Sequence, residues 1–129
     1  MPGSDGFGKV RRSATGLGFF AITDIPKGTK IVQYTGELIR NSDTAKYKGR
    51  YLFKIDDEYT IDGSPRSNLA RYINHSCRPN AYTEIIENEI WVIAKRKIKS
   101  SEEITYHYGK EYFNYFIKPH GCKCIKCRD

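Results

Sequence analysis

Residues Arg71-Tyr72-Ile73-Asn74-His75-Ser76-Cys77-Arg78-Pro79-Asn80 put two amides, an imidazole, a hydroxyl, a thiol and a proline into one short stretch. Strands and helices of this size rarely carry so much polar chemistry, so the segment is either a loop or a site. Asn74 and His75 set side-chain and backbone donors and acceptors next to each other. Pro79 fixes the chain direction just after Cys77. A ligand-binding bend is the sharper reading; an Asn-rich turn around a buried histidine is the blander one and would prevail if the stretch stood alone.

Two other stretches carry chemistry. Cys122-x-Cys124-x-x-Cys127 offers three soft ligands within six residues, and a closed structural zinc site takes four ligands of this kind. The fourth cysteine of the chain is Cys77. Met1 to Gly6 shows no charged-then-apolar signal pattern, so metal binding outranks disulfides, and free or redox thiols rank lower still. Gly16-Leu17-Gly18 allows backbone to approach a ligand without interference from Cβ. A lone Gly-x-Gly is more often a plain turn, and the lack of a third glycine and of a following helix argues against a dinucleotide fold.

Asn-His-Ser-Cys-x-Pro-Asn over 74–80, preceded by Arg71-Tyr72-Ile73 and followed by Glu102-Glu103-Ile104-Thr105-Tyr106-His107-Tyr108-Gly109, closely resembles the SET-domain protein-lysine methyltransferases. The resemblance runs from about residue 16 to residue 127. It implies S-adenosylmethionine as cofactor, bound by Gly16, Leu17, Gly18, Tyr51, Arg71, Asn74 and His75. It also implies a lysine channel walled by Tyr51, Tyr106, Tyr108, Tyr112 and Phe113, with Cys77 as the fourth zinc ligand beside Cys122, Cys124 and Cys127. Tyr108, just before Gly109, matches the family's catalytic tyrosine, against the commoner fate of a strand tyrosine, which is packing. Tyr106 stands where the family carries Phe or Tyr, which implies a bias to lower methylation states. The chain departs from the family pattern twice: His107 replaces the usual Asp, and only Ile125 and Lys126 separate Cys124 from Cys127, where the family leaves a longer gap.

Methyl transfer from a sulfonium to an amine is an in-line displacement, so such a protein must align two reactants and exclude water. A lysine with its ordinary pKa of about 10.4 is protonated at neutral pH and cannot attack. Aromatic walls disfavour the charged amine, and the neighbouring sulfonium acts in the same sense.

The elements that must position these groups read as short strands. Extended runs are expected over 9–13, 16–21, 30–39 with a break at Gly36, 51–55, 59–62 and 104–108. A hairpin is expected from 81–86 to 89–94 through Glu87-Asn88. Segment 41–50 is a short helix or loop, 67–73 one helical turn capped by Ser67 or Asn68, and Trp91 a core residue. The fold class is therefore mainly β; the resemblance sharpens it to a SET fold of several small sheets with a pseudoknot-like threaded crossing and a zinc-stapled tail. Residues 1–8 read as a flexible arm, 9–116 as the SET domain and 117–129 as a post-SET zinc segment.

The chain's 129 residues suffice for one domain with a modest core, and 10 Tyr with 6 Phe argue against disorder. No apolar run approaches the roughly 20 residues of a bilayer span, so the expected setting is soluble and intracellular: the nucleus in a eukaryote, the cytoplasm or host cell for a bacterial or viral chain. A net charge of +7 suits acidic partners, nucleic acid included, although scattered cations are by default a solvated surface. The resulting expectation is a protein-lysine N-methyltransferase acting on a histone or histone-like protein. A catalytically inactive, basic, zinc-containing module that binds nucleic acid or a protein tail is the rival.

Overall fold

The computed structural model describes residues 4–13, 16–46 and 51–108. In chain order the strands are β1 (Ser4–Asp5), β2 (Gly8–Ser13), β3 (Gly16–Ala21), β4 (Lys30–Tyr34), β5 (Glu37–Arg40) and β6 (Leu52–Lys54). They continue as β7 (Tyr59–Asp62), β8 (Asn74–His75), β9 (Ala81–Ile86), β10 (Glu89–Ala94) and β11 (Glu103–Tyr106). Three small sheets result, with orders β1-β2-β3-β11-β8, β4-β10-β9 and β5-β7-β6, so the mainly β expectation holds. The threaded crossing implied by the family involves chain beyond Tyr108, and the tail expected to hold zinc is also there; both expectations lie outside the described residues.

Local chemistry accounts for most of these elements. Glu87 and Asn88 adopt φ of 50° and 66°, the left-handed pair that a two-residue hairpin link requires, and Ile86 opposes Glu89 as expected. Gly36 separates β4 from β5, where a Cβ would meet the Asp62 carbonyl oxygen at 1.9 Å. From Ser4 on, the arm expected over 1–8 is part of a sheet, with Ser4 opposite Lys9 and Asp5 opposite Gly8. A 3-10 helix occupies Asn41–Lys46, the helical alternative for that segment.

Two expectations are corrected. Trp91 is half-buried rather than core, because the inward positions of β10 are Ile90 and Val92 and a strand alternates. Its indole N–H donates to Glu89 Oε1 at 3.2 Å, and the Lys30 ammonium lies 5.3 Å over the ring. Asn68 precedes the 3-10 helix Leu69–Tyr72 but makes no side-chain cap bond. Its buried amide instead accepts the Thr35 N–H at 3.0 Å and donates to the Gly63 carbonyl at 2.9 Å, satisfying two loops that have no strand to pair with.

The core is one cluster shared by the sheets. Phe19 and Ile104, Cα partners across β3 and β11, are both fully buried, as are Ile25 and Ile98, which form an isolated antiparallel bridge. On its other edge β11 pairs in parallel with β8, Thr105 opposite Asn74 and Tyr106 opposite His75. A buried amide locks this seam: Asn80 Oδ1 accepts the Thr105 N–H at 2.9 Å and Asn80 Nδ2 donates to the Glu103 carbonyl at 2.8 Å.

Asn80→Ala should therefore orphan a backbone donor and an acceptor together, at a cost of about 1–3 kcal/mol. Urea unfolding should report a lower midpoint with an unchanged slope; a midpoint equal to that of the unsubstituted chain would mean that the seam does not depend on this amide.

Candidate functional site

A cavity of about 380 Å³ opens beside the β8–β11 seam. Leu17, Tyr51, Arg71, Asn74, Tyr106 and Tyr108 all line it, so six residues singled out in the sequence converge from four separated stretches. Tyr34, Tyr72 and Phe53 complete much of an aromatic wall. Among the described residues lining the cavity, Arg71 is the one with a charged side chain.

The 3-10 helix Leu69–Tyr72 delivers Arg71 and then ends at Ile73, which is extended and fully packed. The Arg71 guanidinium is held 4.5 Å from the Tyr51 ring centroid and 5.1 Å from that of Tyr72. Stacking leaves its edge available, and its buried Nε has no hydrogen-bond partner among the described residues. A buried, unpaired donor costs free energy unless a ligand group meets it. Tyr51 is fixed in turn by its backbone, whose carbonyl accepts the Tyr34 hydroxyl at 2.5 Å.

Tyr108 is pinned at both ends. Its N–H donates to His75 Nδ1 at 3.1 Å, and its hydroxyl donates to the Ile73 carbonyl. The ring lies 5.2 Å from that of Tyr106, which is 6% exposed, and 5.4 Å from that of His75. His75 is buried and does not line the cavity; its imidazole stands between Tyr108 and Cys77, whose Sγ lies 3.5 Å from Nε2. Burial, and secondarily the neighbouring His107, lowers the His75 pKa to about 4, so the ring is neutral at physiological pH. Since Nδ1 accepts from Tyr108, the ring proton resides on Nε2, directed at the Cys77 sulfur. His107, exposed and in the position where an Asp is usual, packs edge-on to His75 with centroids 4.5 Å apart.

Of the remaining expected site residues, Gly16 adopts φ of 120°, a conformation that side chains disfavour. Gly18 is confined for another reason: a Cβ there would meet Glu103 Oε2 at 2.5 Å and Asn74 Nδ2 at 3.2 Å. Tyr112, Phe113, Cys122, Cys124 and Cys127 lie outside the described residues. Among the described residues no group of three or more His, Cys, Asp or Glu could hold a metal ion. Tyr82, on β9, is 42% exposed and is not among the cavity-lining residues.

Sequence reasoning missed Tyr34, Asn80 and Glu103. Tyr34 stands in the Tyr-Thr-Gly-Glu stretch and Asn80 closes the polar decapeptide, so both had a signal; Glu103 sits in a turn-like Glu-Glu pair, where solvation is the natural assumption. The assembled cavity combines aromatic walls, the Arg71 guanidinium, whose Nε has no partner among the described residues, and the oriented amide of Asn74. It suits a ligand with an apolar stem and polar ends, and it can strip water from a second reactant.

Comparison with known proteins bears on the same residues. The family described as the SET domain matches residues 16–109. The chain is 39% identical over 132 residues to "Histone-lysine N-methyltransferase trr" of Drosophila melanogaster, covering 92% of this chain and 5% of that protein. It is 35% identical over 132 residues to human "Histone-lysine N-methyltransferase 2D", covering 92% of this chain and 2% of the relative. A Chaetomium globosum protein, "Histone-lysine N-methyltransferase, H3 lysine-4 specific", is 39% identical over 117 residues, covering 80% of this chain and 11% of its own length. The chain thus spans a small fraction of the length of the relatives it matches.

Proposed function

The chain belongs to the SET-domain family, and from that membership we propose that it is a protein-lysine N-methyltransferase that uses S-adenosylmethionine. The observation that carries the proposal is the convergence of Leu17, Tyr51, Arg71, Asn74, Tyr106 and Tyr108 on one cavity. The orphaned Arg71 Nε and the oriented Asn74 amide fit a cofactor with an ionic amino-acid end. Gly16, Leu17, Gly18, Tyr51, Arg71 and Asn74 would hold it, with His75 supporting the same segment. S-adenosylmethionine bound there supplies a sulfonium methyl, whose transfer breaks the S–CH3 bond and leaves a neutral thioether.

The chain's own residues do the rest. Tyr51, Tyr106 and Tyr108 wall the path of the lysine and, being aromatic, favour its neutral form, so the proton is lost to solvent before attack. Tyr112 is assigned to the same channel on the family pattern. Both ends of Tyr108 are tied, which supports a hydroxyl held in one orientation beside the reacting amine and methyl. The names of the relatives support a histone substrate, and that of the Chaetomium protein makes the histone H3 tail, at the lysine specified in that name, the first peptide to try. A histone substrate implies the nucleus of a eukaryotic cell. The surplus positive charge also favours acidic partner surfaces, nucleic acid among them. A segment over 117–129 would bind one structural Zn2+ through Cys122, Cys124 and Cys127 with Cys77 as fourth ligand, and the His75 Nε2–H directed at Cys77 suits a thiolate.

Tyr108→Phe should keep the fold and lower methyl transfer to an H3 peptide about hundredfold, the scale of losing one preorganised hydroxyl. Activity close to that of the unsubstituted enzyme would remove Tyr108 from the catalytic role.

Tyr106→Phe frees the volume of one hydroxyl, and of any water it holds, without changing the ring. Product should move from mono- toward di- and trimethyl-lysine by mass spectrometry, and an unchanged product distribution would show that Tyr106 does not set the limit.

Elemental analysis should find one zinc per chain, and Cys77→Ser should lose zinc and activity together. A zinc-free native chain, or a Cys77→Ser chain with full zinc, would count against the metal site.

A further inference from the structure

We infer that Glu103 is a positioning residue: its carboxylate fixes the orientation of the Asn74 amide so that Asn74 Oδ1, an acceptor, is presented to the amino group of the cofactor. The inference deepens the proposed use of S-adenosylmethionine and rests on that reading.

The geometry is a closed set of contacts. Asn74 Nδ2 donates to Glu103 Oε2 at 2.8 Å and to the Leu17 carbonyl at 3.0 Å, with Ser13 Oγ at 3.5 Å. A carboxylate and a carbonyl are both acceptors, so only the NH2 side of the amide can face them; the reverse orientation would set oxygen against oxygen. Asn74 lines the cavity, and Oδ1 has no partner among the described residues. With one full negative charge at the NH2 side, the preference is stronger than a neutral acceptor would provide. A donor such as an ammonium group is what the exposed oxygen then selects.

Other roles for Glu103 fit less well. It makes no ion pair among the described residues, so it does not balance Arg11 on the adjoining hairpin, whose guanidinium sits over Phe20 instead, 5.4 Å from the centroid. It is only half-buried, and its neighbour Ile104 supplies the packing of β11. Gly18 is part of the same device, because a Cβ there would meet Glu103 Oε2 at 2.5 Å and displace the carboxylate. The requirement for glycine at 18 is thus set by Glu103 and Asn74 rather than by backbone conformation.

The test is titration calorimetry of the native chain, Glu103→Ala and Glu103→Gln with two ligands. One is S-adenosylmethionine; the other is 5′-methylthioadenosine, which keeps the nucleoside and sulfur but lacks the amino-acid end and its ammonium group. Glu103→Ala should weaken S-adenosylmethionine about tenfold, the scale of one hydrogen bond to a charged group, and leave 5′-methylthioadenosine unchanged. Glu103→Gln, whose amide oxygen can still accept from Asn74, should stay within about threefold of the native chain. Equal weakening of both ligands by Glu103→Ala would mean a structural role, and no weakening of either would mean that Asn74 orients itself; each overturns the inference. A native chain that binds neither ligand would overturn the cofactor assignment, and this inference with it.

Discussion

β11 is paired on both edges, and the structure depends on that double pairing. Along one edge it runs antiparallel to β3, where Phe19 and Ile104 meet in the core. Along the other it runs parallel to β8, which carries Asn74 and His75. Parallel neighbours cannot be joined by a tight turn. Here the connection between them is the whole β9–β10 hairpin and the loop after it, whose Ile98 is anchored on Ile25. Without β11 in place the polar decapeptide would lose the strand it pairs with and the backbone groups that its buried Asn80 amide bonds.

The seam also determines where the side chains point. Pairing Tyr106 with His75 brings Tyr108 within reach of the His75 imidazole, and the Ser76 N–H bonds to the Tyr106 carbonyl at 3.2 Å. His75 works as a spacer: burial keeps it neutral, so one ring nitrogen can accept from Tyr108 while the other faces Cys77. A charged imidazole would be a donor at both nitrogens and would lose the Tyr108 contact. The aromatic wall and Arg71, the one charged side chain among the described residues lining the cavity, leave few oriented groups there, and a hydrogen bond made away from bulk water counts for more than one made in it.

Much of this organisation is readable along the chain. Glu87-Asn88 between two β-branched runs specified its hairpin, because turn conformations are decided by the residues within the turn, and Gly36 marked the break between β4 and β5, although the reason for glycine there is the approach of the Asp62 carbonyl. The decapeptide announced itself by polar density, and several of the residues singled out by its match to a known family line one cavity. Trp91 and Asn68 were misjudged for a common reason. Whether an indole is covered, or whether an amide caps its own helix or serves two loops, depends on what packs there from elsewhere.

Alone, the sequence determined the strand-rich class, the hairpin and the family, and it offered the candidate site residues. These follow from near-neighbour propensities and from residue types in order. Only the tertiary structure decided that Glu103 faces Asn74, that Gly18 must lack a side chain to admit that carboxylate, and that Arg71 is stacked with a buried donor that has no partner among the described residues. Those facts depend on contacts between segments tens of residues apart, and register across a sheet, unlike turn propensity, leaves no mark on the sequence next to the residue concerned.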